Sequence, residues 1–348
     1  MIAGMPSDPS SGRGKTSRRA LLRAAAWVGG AAGTALLSSC GIRIGNPNPP
    51  LRTPLPRQPL PDEQILLTAF DDATHLARDA AALTPADDLT RRLAALHRTH
   101  SLVLRDALRR AGVPDAVVSA ASPAPGESAT TGTSSRGTSS TGTFPIVTSS
   151  PSGTPLTRAR LAAAEATALT AAGLDLLSGA TTPHRPTLTA IAACRAAAVT
   201  RLGGAISWLA SDPLPATDAV TLLDATRAVA YGFEIVAAHL HADARQTALA
   251  TLRQVQQRET ALVSAAGAAA PPEPLGYDLP FPVSDPDGAR RLATTVLSGL
   301  VARGLDPLDT LPIGSAAIGT VVRLQAEAVM LGTPWGVAAT PFPGMAYP

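Results

Sequence analysis

Charge, aromatic rings and cysteine are all scarce in this 348-residue chain, and each shortage narrows the reading. Charged residues make up 16% and aromatics 3%, against 45% hydrophobic, so aliphatic side chains must build any core. Few strand-favouring rings and much Ala and Leu argue against an all-β fold and for helices. Lys15 is the single lysine, and the net charge is only +3. Residues 1–39 hold Arg13, Lys15, Arg18, Arg19 and Arg23 against Asp8 alone; without them 24 basic and 25 acidic residues remain, a balance of −1. A nucleic-acid partner needs a basic face, which this balance does not supply. Cys40 and Cys194 are the two cysteines.

The N-terminus carries the sharpest motif. Arg18-Arg19 precedes a modest apolar run, Ala24 to Leu37, interrupted by Gly29, Gly30 and Gly33. That run is too short for the ~20 apolar residues that span a bilayer. It leads into Leu37-Ser38-Ser39-Cys40, an aliphatic residue, two small ones and a thiol. The order resembles the twin-arginine signal peptides of bacterial lipoproteins. The resemblance implies export through Arg18 and Arg19, cleavage before Cys40, and a lipid on Cys40 that anchors the chain to the extracytoplasmic face of the cell membrane. Cys194 would then have no partner for an intrachain disulfide.

Residues 40–61 are rich in proline and read as a semi-rigid tether. Helical periodicity follows at once. Leu66, Phe70, Ala73, Ala77 and Ala80 recur every three or four residues, and Asp87–Ala111 reads as a second helix ended by Gly112 and Pro114. Residues 119–155 are Ser, Thr, Gly and Pro with little else, an insertion unable to offset its ordering entropy and a possible carrier of O-glycans. Helical patterns resume at Leu156–Ser178 and Thr187–Ala210. Four more follow: one along Leu223–Leu240, one ending near Ala266, then Asp285–Arg303 and Asp306–Leu331. The fold class is therefore all-α. Two groups of four helices, 62–211 and 212–348, suggest bundles in tandem; one continuous eight-helix domain is the alternative.

Within 214–345, three stretches carry a further likeness: Leu222 to Leu240 with its Asp224-Ala225-Thr226-Arg227-Ala228-Val229-Ala230-Tyr231 run, Tyr277-Asp278-Leu279-Pro280-Phe281-Pro282, and Pro341-Phe342-Pro343-Gly344. Together they resemble a family of ferritin-like domains of unknown function found in actinobacterial proteins. The resemblance implies an antiparallel four-helix bundle and supplies no activity. The family usually has Glu-His where Asp224 and Ala225 stand here, so the imidazole is missing.

A di-metal bundle needs a Glu from each of two helices and Glu-x-x-His from the other two. The C-terminal helices offer Asp224, Glu234, Glu259 and Glu327 in no such set. The N-terminal group is richer: His97 and His100 share one face of the second helix, with His75 on the first and Glu165 on the third. His-x-x-His with a carboxylate suits a single Zn²⁺ or Cu²⁺, but Arg91, Arg92, Arg98 and Arg105 flank it, and histidines solvated or hydrogen-bonded at a helix surface are the plainer reading. Asp224, Arg227, Tyr231 and Glu234 form a polar stripe, either the lining of a ligand groove or an intrahelical ion-pair ladder. Cys194, within Ile191-Ala192-Ala193-Cys194, reads as a small core residue. No phosphate loop, nucleophile elbow or triad is present, so no catalytic residue is assigned and no cofactor is expected. The expectation is a lipid-anchored envelope protein that binds an envelope partner or a small ligand. Metal-dependent redox or storage chemistry at His75, His97, His100 and Glu165 is the rival.

Overall fold

In the computed structural model, residues 57–121 and 156–345 are described. Arg18, Arg19, Cys40, most of the tether and residues 122–155 of the insertion lie outside them. Among the described residues the chain is all-α, with ten α-helices, four 3₁₀ helices and no strand. From Gln58 onward it forms one compact unit.

The first helix, α1 (Glu63–Ala82), buries Leu66, Phe70, Ala73, Ala77 and Ala80, the face that the spacing predicts. Helix α2 (Asp88–Arg110) begins in a capping box: the Asp87 side chain accepts from the Thr90 N–H, and the Thr90 hydroxyl faces the Asp87 N–H. Such boxes satisfy two of the amides that a helix start leaves open. The short Leu83–Asp87 connection folds α1 and α2 into a hairpin along their length. After α3 (Asp115–Ala121), which takes in the first residues of the predicted insertion, come α4 (Arg158–Ala166), α5 (Ala171–Ser178) and α6 (Arg185–Arg201).

Three helices expected from the sequence are shorter or broken. Leu156–Ser178 divides at Thr167–Thr170, because the Thr170 side chain caps a new helix and its own backbone is extended. Thr187–Ala210 stops at Arg201, where Gly203 takes φ +85°. Asp306–Leu331 is a 3₁₀ turn at Asp306–Asp309 and then α10 (Ile318–Gly332), the gap holding Pro312 and a left-handed Gly314. A proline cannot donate to the helix ladder, and a left-handed residue ends it.

Helix α6 is the axis of the unit. Thirteen of its residues are buried, from Arg185 to Val199, with no polar stripe. Its alanines let neighbours close in, and it packs against α2, α4, α5 and α10. The remaining helices, α7 (Ala216–His239), α8 (Ala242–Ala266) and α9 (Pro286–Arg303), stack with α7 between the other two. Helix α10 touches α9 but packs more extensively on α6. One hydrophobic cluster therefore contains Leu66, Leu104, Ile191, Leu222, Leu262, Val321 and Phe342, residues from both halves. That cluster draws on both groups of helices read from the sequence, while a second, from Val229 to Leu331, lies within the C-terminal group and a third, from Leu76 to Leu202, within the N-terminal one. Each fully buried leucine there contributes about 1.5–3 kcal/mol.

The C-terminal Pro341-Phe342-Pro343-Gly344 segment returns to this core. Gly344 sits at φ +86°, and a Cβ on it would meet Leu305 Cγ at 2.8 Å and Gln325 Nε2 at 2.9 Å. The left-handed conformation alone costs a non-glycine residue roughly 1–2 kcal/mol, and fully buried Gln325 has no room to withdraw. Gly344→Ala should lower the unfolding free energy by about 2–3 kcal/mol in urea titrations.

Candidate functional site

Four helices bring polar side chains together around a buried centre, and the C-terminal segment adds a backbone carbonyl. Helix α2 supplies His97 and His100, whose i, i+3 spacing sets both on the face toward α6, and neither is measurably exposed. Helix α4 supplies the equally buried Glu165, α6 supplies Cys194 and Arg195, and α1 supplies Asp72. The returning C-terminal segment closes the set.

Arg195 organises it. Its Nη1 donates to Asp72 Oδ2 at 2.5 Å, and its Nη2 to the Ala164 carbonyl at 2.8 Å and the Thr167 hydroxyl at 2.6 Å. Its Nε donates to the Glu165 carbonyl at 3.2 Å and lies 3.7 Å from Glu165 Oε2. Glu165 Oε1 is 2.7 Å from His97 Nε2. His100 Nε2 donates to the Pro341 carbonyl at 2.6 Å, its ring 5.1 Å from that of Phe342. That bond places the proton on Nε2 and leaves Nδ1 bare. Burial, with help from His97 and Arg195, pulls the His100 imidazole down to about 3, so it is neutral at physiological pH. Cys194 Sγ lies 3.4 Å from the Pro341 carbonyl, and burial pushes its thiol up to about 12. A thiol held protonated is neither nucleophile nor metal ligand.

Of the residues singled out in the sequence, His97, His100 and Glu165 meet and His75 does not. His75 is exposed on α1 and pairs with Asp71 at 2.9 Å. Among the described residues no group of three or more His, Cys, Asp or Glu side chains is placed to hold a metal ion. Between the carboxylates of α1 and α4, the positive charge is the guanidinium of Arg195. The sequence reading missed Arg195. Its signal was available: a lone charge after Ile191-Ala192-Ala193-Cys194, inside a helix otherwise too apolar to be exposed, must have a buried partner.

The polar stripe of α7 also resolves differently from its simplest reading. Arg227 pairs across to Glu259 on α8 at 3.0 Å and donates to the Pro271 carbonyl at 2.9 Å, so no intrahelical ladder forms around it. Asp224 accepts from the Tyr277 hydroxyl at 3.4 Å, and Tyr231 lies 6.1 Å from the Tyr277 ring, so both face the connection between α8 and α9. Glu234 is exposed.

Beside the buried cluster lies a cavity of about 330 Å³, walled by Ile65, Ala69, Leu176, Leu188 and Ile191, with Asp72 and Arg195 also on its surface. Pockets of this size and mixture suit small ligands with an apolar body and one polar end.

These features define an all-α domain with a locked, buried ionic cluster. Residues 219–347 match a family model described as Domain of unknown function (DUF4439). The matched segment includes Pro341 and Phe342, so it completes the cluster built by the helices before it. No curated protein and no solved structure matches the chain.

Proposed function

We propose that this is an exported, lipid-anchored cell-envelope protein whose ferritin-like helical domain binds a partner or a small ligand rather than catalysing a reaction. The observation that carries the binding role is the cluster itself. Its principal groups are committed to one another or held neutral: Glu165 between His97 and Arg195, His100 on the Pro341 carbonyl, Cys194 kept protonated, while His97 Nδ1, His100 Nδ1 and Glu165 Oε2 are buried without a hydrogen bond. A preformed cavity opens beside it. Export and anchoring rest on Arg18-Arg19 and Leu37-Ser38-Ser39-Cys40, likened to the twin-arginine lipoprotein signals, with the proline-rich 40–61 segment as a spacer. A lipid on Cys40 would bring membrane affinity without a spanning helix.

The test is expression in a bacterium with twin-arginine and lipoprotein-processing machinery, fed an alkyne fatty acid. The full-length protein should label, fractionate with membranes and lose its first 39 residues by mass. Cys40→Ser should abolish the label, and Arg18→Lys with Arg19→Lys should leave the protein in the cytoplasm. Unlabelled full-length protein in the soluble fraction would refute the anchoring.

A further inference from the structure

The buried arginines Arg185, Arg195 and Arg227 each spend their guanidinium on two or more protein acceptors. Arg258, on α8, does not. It is only 5% exposed, its Nη1 donates to the Leu324 carbonyl of α10 at 2.6 Å, and its Nε and Nη2 are buried with no hydrogen-bond partner. It makes no ion pair with any described carboxylate. Nε–H and Nη2–H lie on the same side of a guanidinium, the edge that grips both oxygens of a carboxylate at once. The unspent atoms are thus a complete two-toothed anion clamp.

The surroundings match that clamp. Arg258 lines a cavity of about 670 Å³ where α8 and α10 stand apart, roofed by residues 209–211. Arg323 and Glu327 also line it and pair with each other at 2.8 Å, so the lining keeps one net positive charge, that of Arg258. Burial lowers the Arg258 guanidinium to about 10, with Glu327 opposing, and it stays charged at neutral pH. Gln254 and Gln257 are exposed at the cavity and can swing aside, while Leu209, Met330 and Leu331 offer an apolar wall.

The geometry points to an anion site in this cavity: once the side chains that cover Nε and Nη2 move aside, Arg258 takes the carboxylate of a small organic acid side-on through those two atoms, and the acid's short apolar body lies against Leu209, Met330 and Leu331. One negative charge neutralises the lining, which selects a monocarboxylate over a dianion. The site is separate from the Arg195 cluster and does not depend on the lipid anchor.

The experiment is thermal unfolding and calorimetry of the mature protein, Cys40 to Pro348, with acetate, butyrate, hexanoate, succinate and inorganic phosphate at constant ionic strength. Butyrate or hexanoate should raise the melting temperature saturably by a few degrees, and Arg258→Gln should weaken binding roughly tenfold or more. Gln254→Glu guards against a misfolded arginine variant, since residue 254 is exposed and one helical turn before Arg258. The new carboxylate should fill the clamp internally, raising stability without ligand and abolishing the butyrate effect. The proposal is overturned by no saturable shift with any carboxylate, by binding of phosphate alone, or by an undiminished butyrate effect in Gln254→Glu.

Discussion

Arg195→Leu should destabilise the protein by about 3–5 kcal/mol, the cost of removing one partner from a buried pair. The cost comes less from the lost bonds than from what they leave behind. Glu165 is fully buried, and without the guanidinium its carboxylate keeps only His97 as a neighbour able to offset its charge. The carbonyls of Ala164 and Glu165, which accept from Arg195, lose a donor as well. Arg195→Lys should fall between, because an ammonium restores charge but cannot serve Asp72, Thr167 and two carbonyls together. Glu165→Gln separates charge from contact: the amide oxygen can still accept from His97 while the buried negative charge disappears. The double variant Arg195→Leu/Glu165→Gln should therefore recover much of the loss, giving a coupling energy of about 1–3 kcal/mol in a denaturant double-mutant cycle. Exposed pairs such as Arg110–Asp106, both partners more than half exposed, should contribute almost nothing by comparison. A loss below about 1 kcal/mol for Arg195→Leu would mean that the cluster is not what joins α1, α4 and α6.

The same cluster marks where the sequence stops being informative. Local rules worked well. The apolar spacing on α1 is the buried face, and Asp87 and Asp285 cap the helices they precede. Helix ends at Gly112 and Gly267 fall where left-handed glycines permit them. Breaks were harder, because an alanine-rich run such as 156–178 has helical propensity throughout and only the Thr167 and Thr170 hydroxyls compete with its backbone. Partner choice was not legible at all. An apolar stripe says that α10 must be covered, not that α6 covers it, so the two groups of helices looked self-contained. His97, His100 and Glu165 stood out by residue type, and they do converge. Their acquaintances do not follow from spacing: Arg195 lies 30 residues beyond Glu165, and the Pro341 carbonyl lies 241 beyond His100. A backbone carbonyl carries no sequence signature. The arginines that flank His-x-x-His in sequence are not the cation that reaches Glu165; that cation is Arg195, on α6, four α-helices further along the chain.

That carbonyl makes the C-terminal segment the acid-sensitive part of the fold. His100 titrates near 6.5 when exposed to water, and burial, reinforced by His97 and to a smaller extent Arg195, takes it to about 3 in the native state against the opposing hydrogen bond to Pro341. Between those values the unfolded chain binds a proton that the folded one refuses. Stability is therefore complete above the unfolded value and declines as pH falls toward 3, by about 1.4 kcal/mol for each pH unit once below 6.5. His100→Gln places a neutral amide where Nε2 donates to the Pro341 carbonyl, so it keeps the contact and removes the titration. Carboxylates titrate equally in both proteins and cancel in the difference. From pH 7 to pH 5 the wild type should lose about 2 kcal/mol more than His100→Gln in urea titrations; parallel curves would sink the assignment. The charge forced onto His100 would have to escape toward water, and the nearest removable wall is Pro341-Phe342, whose ring packs on the imidazole. Hydrogen exchange at the Met345 amide, which donates to the Phe342 carbonyl at 3.1 Å, should therefore accelerate at acid pH before the amides of α6 do.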